Sequence, residues 1–90
     1  MKLTIRRTTQ FKRDVKKLLK GGKNVEKLLR VIEILAEGEG LPYEYKAHPL
    51  RGNYKEKYDC HIEPDWILIY EIENNELVLY RTGNHSELFR

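Results

Sequence analysis

A single cysteine, Cys60, is all the thiol chemistry this 90-residue chain offers. That excludes an intramolecular disulfide and any paired-cysteine zinc site. Long apolar runs are missing too. The longest uninterrupted aliphatic-aromatic run, Trp66-Ile67-Leu68-Ile69-Tyr70, is far too short to span a bilayer, so no membrane partner is expected. The start, Met1-Lys2-Leu3-Thr4-Ile5-Arg6-Arg7, is basic but has no apolar stretch behind it, and it does not read as a secretory signal. Repeats, low-complexity tracts and linkers are absent as well. Together these absences predict one domain over residues 1–90 in a reducing, cytoplasmic setting.

What is present is the composition of an ordinary globular domain, with 40% hydrophobic and 34% charged residues. The net charge is only +3, but it is unevenly spread. Residues 1–30 hold eleven Lys/Arg against Asp14 and Glu26, while residues 31–90 hold six against twelve acids. A basic block of this kind reads as a phosphate-binding face, a dock for an acidic partner, or a solvated helix face.

Residues 2–6 alternate enough for a short strand. Thr8 or Thr9 then caps a helix with Phe11, Val15, Leu18 and Leu19 as its apolar stripe. Gly21-Gly22 stops it, and Asn24 caps a second helix whose buried face is Val25, Leu28, Leu29, Ile32, Leu35 and Ala36. Gly38 and Gly40 close that one. From about residue 55 the period becomes that of strands: Lys57–Ile62, Trp66–Glu73 and Glu76–Thr82. Glu63-Pro64-Asp65 turns between the first two, and Asn74-Asn75 makes a tight hairpin between the last two. The pattern predicts an α+β fold, β-α-α-β-β-β, with a helical hairpin packed on a mainly antiparallel four-stranded sheet and a short helical turn at Ser86–Phe89.

All three histidines, His48, His61 and His85, lie in the second half. In a three-strand meander, the start of the middle strand and the end of the last share one side. His61, Asp65 and His85 should therefore converge at one end of the sheet, with His48 folding over it. Metal-free RNA cleavage needs a base for the ribose 2′-OH, an acid for the leaving 5′-oxygen, and positive charge at the phosphate. Imidazole serves as acid or base near neutrality, and Lys46, Arg51, Lys55 and Arg81 are nearby cations. Each residue also has a plainer reading. A histidine is often structural, Asp65 after Pro64 is a common turn residue, and Phe89 would staple the tail to the core. Trp66 and Tyr70 read as core or partner-contact aromatics, and Cys60 as a small buried hydrophobe. No histidine pair has the spacing typical of a metal site, so neither a metal nor another cofactor is expected.

Three stretches narrow the choice: Tyr45-Lys46-Ala47-His48-Pro49-Leu50-Arg51-Gly52, the run Cys60–Tyr70, and Arg81-Thr82-Gly83-Asn84-His85-Ser86-Glu87-Leu88-Phe89. In order and spacing they resemble the YafQ branch of the RelE/ParE toxin superfamily, and the remaining half of the chain matches its layout. Ala47 stands where such proteins usually have Asp, and Asn84 where they have Ser or Thr. The resemblance implies a RelE-like fold and a type II toxin–antitoxin toxin: a ribosome-dependent mRNA endonuclease cutting in the A site. The product ends would be a 2′,3′-cyclic (or 3′) phosphate and a 5′-OH.

By the same resemblance, His48, His61, Asp65, His85 and Phe89 form the catalytic site. His85 would be the principal proton-transfer group, acting as the acid, and Asp65 the base or its orienter. His48 and His61 would assist and bind phosphate, while Phe89 would stack on an mRNA base. The implied partners are mRNA on the 70S ribosome, ribosomal RNA gripped by the basic hairpin, and a cognate acidic antitoxin segment that folds on binding. Two alternatives remain from this reading: a catalytically inactive RNA- or antitoxin-binding module of the same fold, and a gyrase-poisoning relative.

Overall fold

A computed structural model describes residues 2–50 and 56–89. Strand β1 (Thr4–Arg7) leads into helices α1 (Thr9–Lys20) and α2 (Val25–Ala36). A 3-10 turn (Tyr43–Tyr45) follows, then β2 (His48–Pro49), β3 (Tyr58–Glu63), β4 (Trp66–Glu73), β5 (Glu76–Gly83) and α3 (His85–Leu88). The sheet order is β1-β5-β4-β3-β2. Strand β1 runs parallel to β5, and the other neighbours are antiparallel.

Local chemistry explains the boundaries. The Thr8 hydroxyl accepts from the Phe11 N–H at 3.0 Å and donates to the Tyr80 carbonyl at 2.8 Å. It thus caps α1 and pins the helix start to β5. Asn24 caps α2 through the Glu26 N–H. Asn74 and Asn75 both take positive φ, 51° and 63°, the left-handed pair that a two-residue hairpin with native twist requires.

The helical hairpin covers one face of the sheet. Leu28, Val31 and Leu35 of α2 pack there with Cys60, Trp66, Leu68, Leu77 and Leu79. The Trp66 indole N–H donates to the buried Thr82 hydroxyl at 2.9 Å, which satisfies its one polar group inside the core. Strand alternation sends Asp59, His61, Ile67 and Ile69 to the opposite face. There Ile67, Ile69 and Leu88 form a second, smaller cluster with Leu50, Tyr80 and Phe89 packed against it.

The α+β class and the hairpin-on-sheet arrangement match expectation, with differences of detail. The sheet among the described residues has five strands rather than four, because His48–Pro49 pairs with Asp59 and Tyr58. Two residues are too few to show an alternation. The first strand begins at Thr4 instead of residue 2, and the last helix spans His85–Leu88 rather than Ser86–Phe89. The helical stripes also shift: Leu19 and Leu29 are exposed, whereas Asp14 and Val31 are buried. Asp14 is inside because α1 lies where β1 has ended. The open edge of β5 there needs an acceptor, and the Asp14 carboxylate supplies it to the Thr82 N–H at 3.1 Å.

Candidate active site

Four of the five residues expected at the centre come together at one end of the uncovered face. His61, on β3, pairs in register with Ile67, which in turn pairs with Gly83 at the end of β5. Two residues on, α3 brings His85 back over that row. The His61 and His85 rings are 5.9 Å apart, and the His85 and Phe89 rings 5.4 Å apart. Asp65, in the β3–β4 turn, accepts from the His85 backbone N–H at 3.2 Å, and its carboxylate is 3.7 Å from His85 Nδ1. The turn residue thus anchors the start of α3 by a backbone hydrogen bond, with its carboxylate beside the His85 ring.

A one-turn helix needs help to hold such a position. Asn84 and Glu87 form a reciprocal capping box, with Glu87 N–H donating to Asn84 at 2.9 Å and Asn84 N–H to Glu87 at 3.1 Å. Asparagine at this position therefore does the capping work expected of Ser or Thr. Lys17 of α1 contacts Glu87, and chiefly this contact holds the Glu87 carboxyl below its usual range. Gly83 leaves room for the box, since a Cβ there would stand 2.9 Å from Glu87 Oε1.

His48 reaches the site from the other side, on β2, where it pairs with Asp59. Its Nδ1 lies 2.9 Å from the Lys46 carbonyl oxygen and 3.0 Å from Asp59 Oδ1. The contact with Asp59 is close enough for an ion pair but is not aligned as a hydrogen bond. Oδ1 therefore accepts none among the described residues, although it is buried. Burial pushes the Asp59 carboxyl above the usual aspartate range, opposed by the charges of His48, His61 and His85. All three histidines thus sit in the field of one buried carboxylate. Sequence reasoning missed Asp59; the available signal was its place two residues before His61 on the same strand face.

Of the cations expected to meet phosphate, Lys46 lines a groove of about 530 Å³ with His61, Tyr45 and Pro64. Arg81 is committed elsewhere, since its Nε and one terminal nitrogen both donate to Asp14 at 3.1 Å. Arg51 and Lys55 lie outside the described residues. Burial, aided by the Asp59 charge, pushes the Cys60 thiol up to about 12, which removes it as a nucleophile.

The basic block is partly neutralised within the molecule. Lys23 and Lys27 clasp Glu63 at 3.1 and 2.7 Å, and Arg6 pairs with Glu76. Lys12, Arg13, Lys16 and Lys20 of α1, together with Arg7 and Arg30, make no ion pair among the described residues, and they form the exposed remainder. No described helix is long and apolar enough to cross a membrane.

The chain and its fold have known counterparts. The family described as "Bacterial toxin of type II toxin-antitoxin system, YafQ" matches residues 3–90. The chain belongs to the YafQ toxin family. It is 43% identical over 81 residues to the mRNA interferase toxin YafQ of Escherichia coli K12, covering 89% of this chain and 88% of that protein. The E. coli DinJ-YafQ toxin-antitoxin complex superposes with a TM-score of 0.92 at 40% identity, with both chains fully covered. A metal-bound toxin from Helicobacter pylori gives a TM-score of 0.90 at 43% identity, covering 97% of this chain and 99% of that one. Among the described residues here, no three His, Cys, Asp or Glu side chains are grouped to hold a metal ion.

Proposed function

We propose that this YafQ-family toxin is a ribosome-dependent endoribonuclease that cuts mRNA in the A site. The observation that carries the reading is the row of His61, His85 and Phe89, with Asp65 held against His85. In the reaction the ribose 2′-oxygen attacks the adjacent phosphorus, and the bond from phosphorus to the 5′-oxygen breaks. A base takes the 2′-OH proton and an acid delivers one to the departing 5′-oxygen. A 2′,3′-cyclic phosphate and a 5′-OH result. His85 is the acid, oriented by Asp65. His48 and His61 supply the remaining proton transfer and positive charge at the phosphate. Phe89, its ring tilted 47° from that of His85, presents a face to an mRNA base.

The unpaired cations of α1 give the toxin a salt-sensitive grip on ribosomal RNA. On the same side, a groove of about 550 Å³ has an apolar floor that includes Ile5, Phe11, Leu28 and Ile32, with Arg7, Lys12 and Lys16 on its wall. Apolar surface bordered by basic residues suits an amphipathic acidic antitoxin segment. Such a pair would operate in the cytoplasm, where the ribosomes are.

The test is growth arrest on expression of the toxin alone, with His85→Ala and Asp65→Ala each expected to relieve the arrest while the fold is kept. Two folded but fully toxic variants would refute the site. In vitro, cleavage of mRNA should require programmed ribosomes and survive chelator. Loss of cleavage with EDTA would show a metal requirement, and binding to RNA without cleavage would show an inert binding module.

A further inference from the structure

We propose that Glu63 and Glu87 are positioning residues for this reaction: two carboxylates, gripped by lysines of the helical hairpin, that keep Asp65 and His85 matched to each other. The consequence for catalysis rests on the nuclease reading above, whereas the coupling itself rests on contacts. Asp65 and His85 are 72% and 58% exposed, so packing alone fixes neither side chain. They meet through one backbone hydrogen bond of 3.2 Å and a carboxylate-to-ring approach of 3.7 Å. Asp65 rides on a turn where the β3–β4 register shifts between His61 and Glu63. His85 opens a helix of a single turn. Each segment needs a hold from outside if the two are to stay matched.

Both holds come from the hairpin. Glu63 takes one lysine on each oxygen, Lys23 at 3.1 Å and Lys27 at 2.7 Å. The Lys23 ammonium also lies 5.4 Å from the centre of the Trp66 ring. It therefore grips the residues on both sides of Pro64-Asp65. Glu87 does the same for α3: one oxygen accepts from the Asn84 N–H, just ahead of His85, and the other meets Lys17. The three lysines share one firm base. The Lys23 N–H donates to the Leu18 carbonyl at 3.0 Å, and Leu18 and Leu28, next to Lys17 and Lys27, pack in the main core. These lysines hold both glutamate carboxyls below their usual range, so both are charged at neutral pH. Exposed ion pairs contribute little to folding. Their weight falls on placement, because misplacing reacting groups by about 1 Å can cost about 10²-fold in rate. A rival reading makes the lysines RNA contacts that the glutamates merely neutralise. Removing the glutamate charge would then tighten RNA binding and leave the chemical step alone.

The test uses the full-length protein with Glu63→Gln, Glu87→Gln and the double variant, which remove charge and keep shape. Without RNA, hydrogen exchange at the His85 amide should be about 10-fold faster in each variant than in wild type. Glu63→Gln decides most, because Glu63 and the amide being read lie on different segments. On programmed ribosomes, kcat should fall by about 5-fold in each single variant and by about 10-fold or more in the double, with KM unchanged. Folded variants with wild-type kcat, or with wild-type exchange at His85, overturn the proposal. A change confined to KM also overturns it and makes the lysines RNA contacts. Lys27→Gln should speed His85 exchange from the hairpin side, so the test stands even if a glutamate variant does not fold. Unchanged exchange in Lys27→Gln overturns the proposal as well. Exchange is measured without RNA. A wild-type protein that never cleaves, with His85 exchange still coupled to Glu63, would therefore count against the nuclease reading and leave the coupling standing.

Discussion

Asp14 and Asp59 are both buried aspartates, one at the open edge of β5 and one on the uncovered face of the sheet, and the protein treats them oppositely. Asp14 accepts from Gln10, from two nitrogens of Arg81 and from the Thr82 N–H, all at 3.1 Å. Asp59 leaves Oδ1 without an aligned donor among the described residues and faces the exposed imidazole of His48. A carboxylate saturated by fixed donors is a fastener, because every lone pair is in use. One kept hungry beside a titratable ring is available for proton chemistry. Burial alone therefore does not distinguish the two carboxylates; the donor count does.

The contrast is sharpest in stability. Asp14→Ala removes the acceptor of the buried Thr82 N–H and of two Arg81 nitrogens, and it should cost about 3–5 kcal/mol. For a domain of this size that lowers the melting temperature by more than roughly 12 °C, readable by thermal denaturation. A loss below about 1 kcal/mol would erase the distinction between the two aspartates.

Asp65, the aspartate at the surface, separates chemistry from folding. Its side chain is 72% exposed. Asp65→Asn should leave the stability within about 0.5 kcal/mol of wild type. Cleavage by the same variant should fall by about 10²-fold, measured on programmed ribosomes.

Asp59→Asn should move stability the other way. Burial raises the folded-state pKa of Asp59, so its stabilising contribution is present below the unfolded value, near 3.8, and is lost as pH rises through the folded value. At neutral pH the ionised group is a cost. The variant should melt at or slightly above wild type at pH 7, with the advantage vanishing below about pH 4. A lower melting temperature at pH 7 would class Asp59 with Asp14.

The smallest effect belongs to Glu87. Its carboxyl is held down mainly by Lys17, so its contribution is present above the unfolded value and fades as pH falls through the folded one. Glu87→Gln preserves the capping box but loses the ion pair, at a cost below about 1 kcal/mol. Amide exchange at Leu88 and Phe89, whose N–H groups close α3, should rise on acidification in wild type and respond less in the variant.

The sequence made the elements with strong periodicity legible. The α2 core, the Asn74-Asn75 hairpin and the meander that joins His61, Asp65 and His85 all follow from local pattern and turn chemistry. Asp14 and Asp59 escaped because their burial depends on what lies across the sheet edge, which no window along the chain contains. Leu19 and Leu29 were placed inside for the converse reason. A helical stripe marks a face, but the width of that face in contact is set by the partner layer. Arg81 looked like a free phosphate ligand only while its partner, 67 residues away, was invisible.

The grip of Asp14 on Arg81 and Thr82 has a mechanical side. Thr82 is three residues from His85, so α1 holds the last strand like a handle close to its working tip. Lys17, one turn further along, takes hold of α3 itself through Glu87. A load applied to the outer surface of the first helix therefore reaches the histidine end by two routes, a buried one through Asp14 and a looser one at the surface through Lys17. A binding partner that shifts that helix slightly would detune the blade without ever touching its edge.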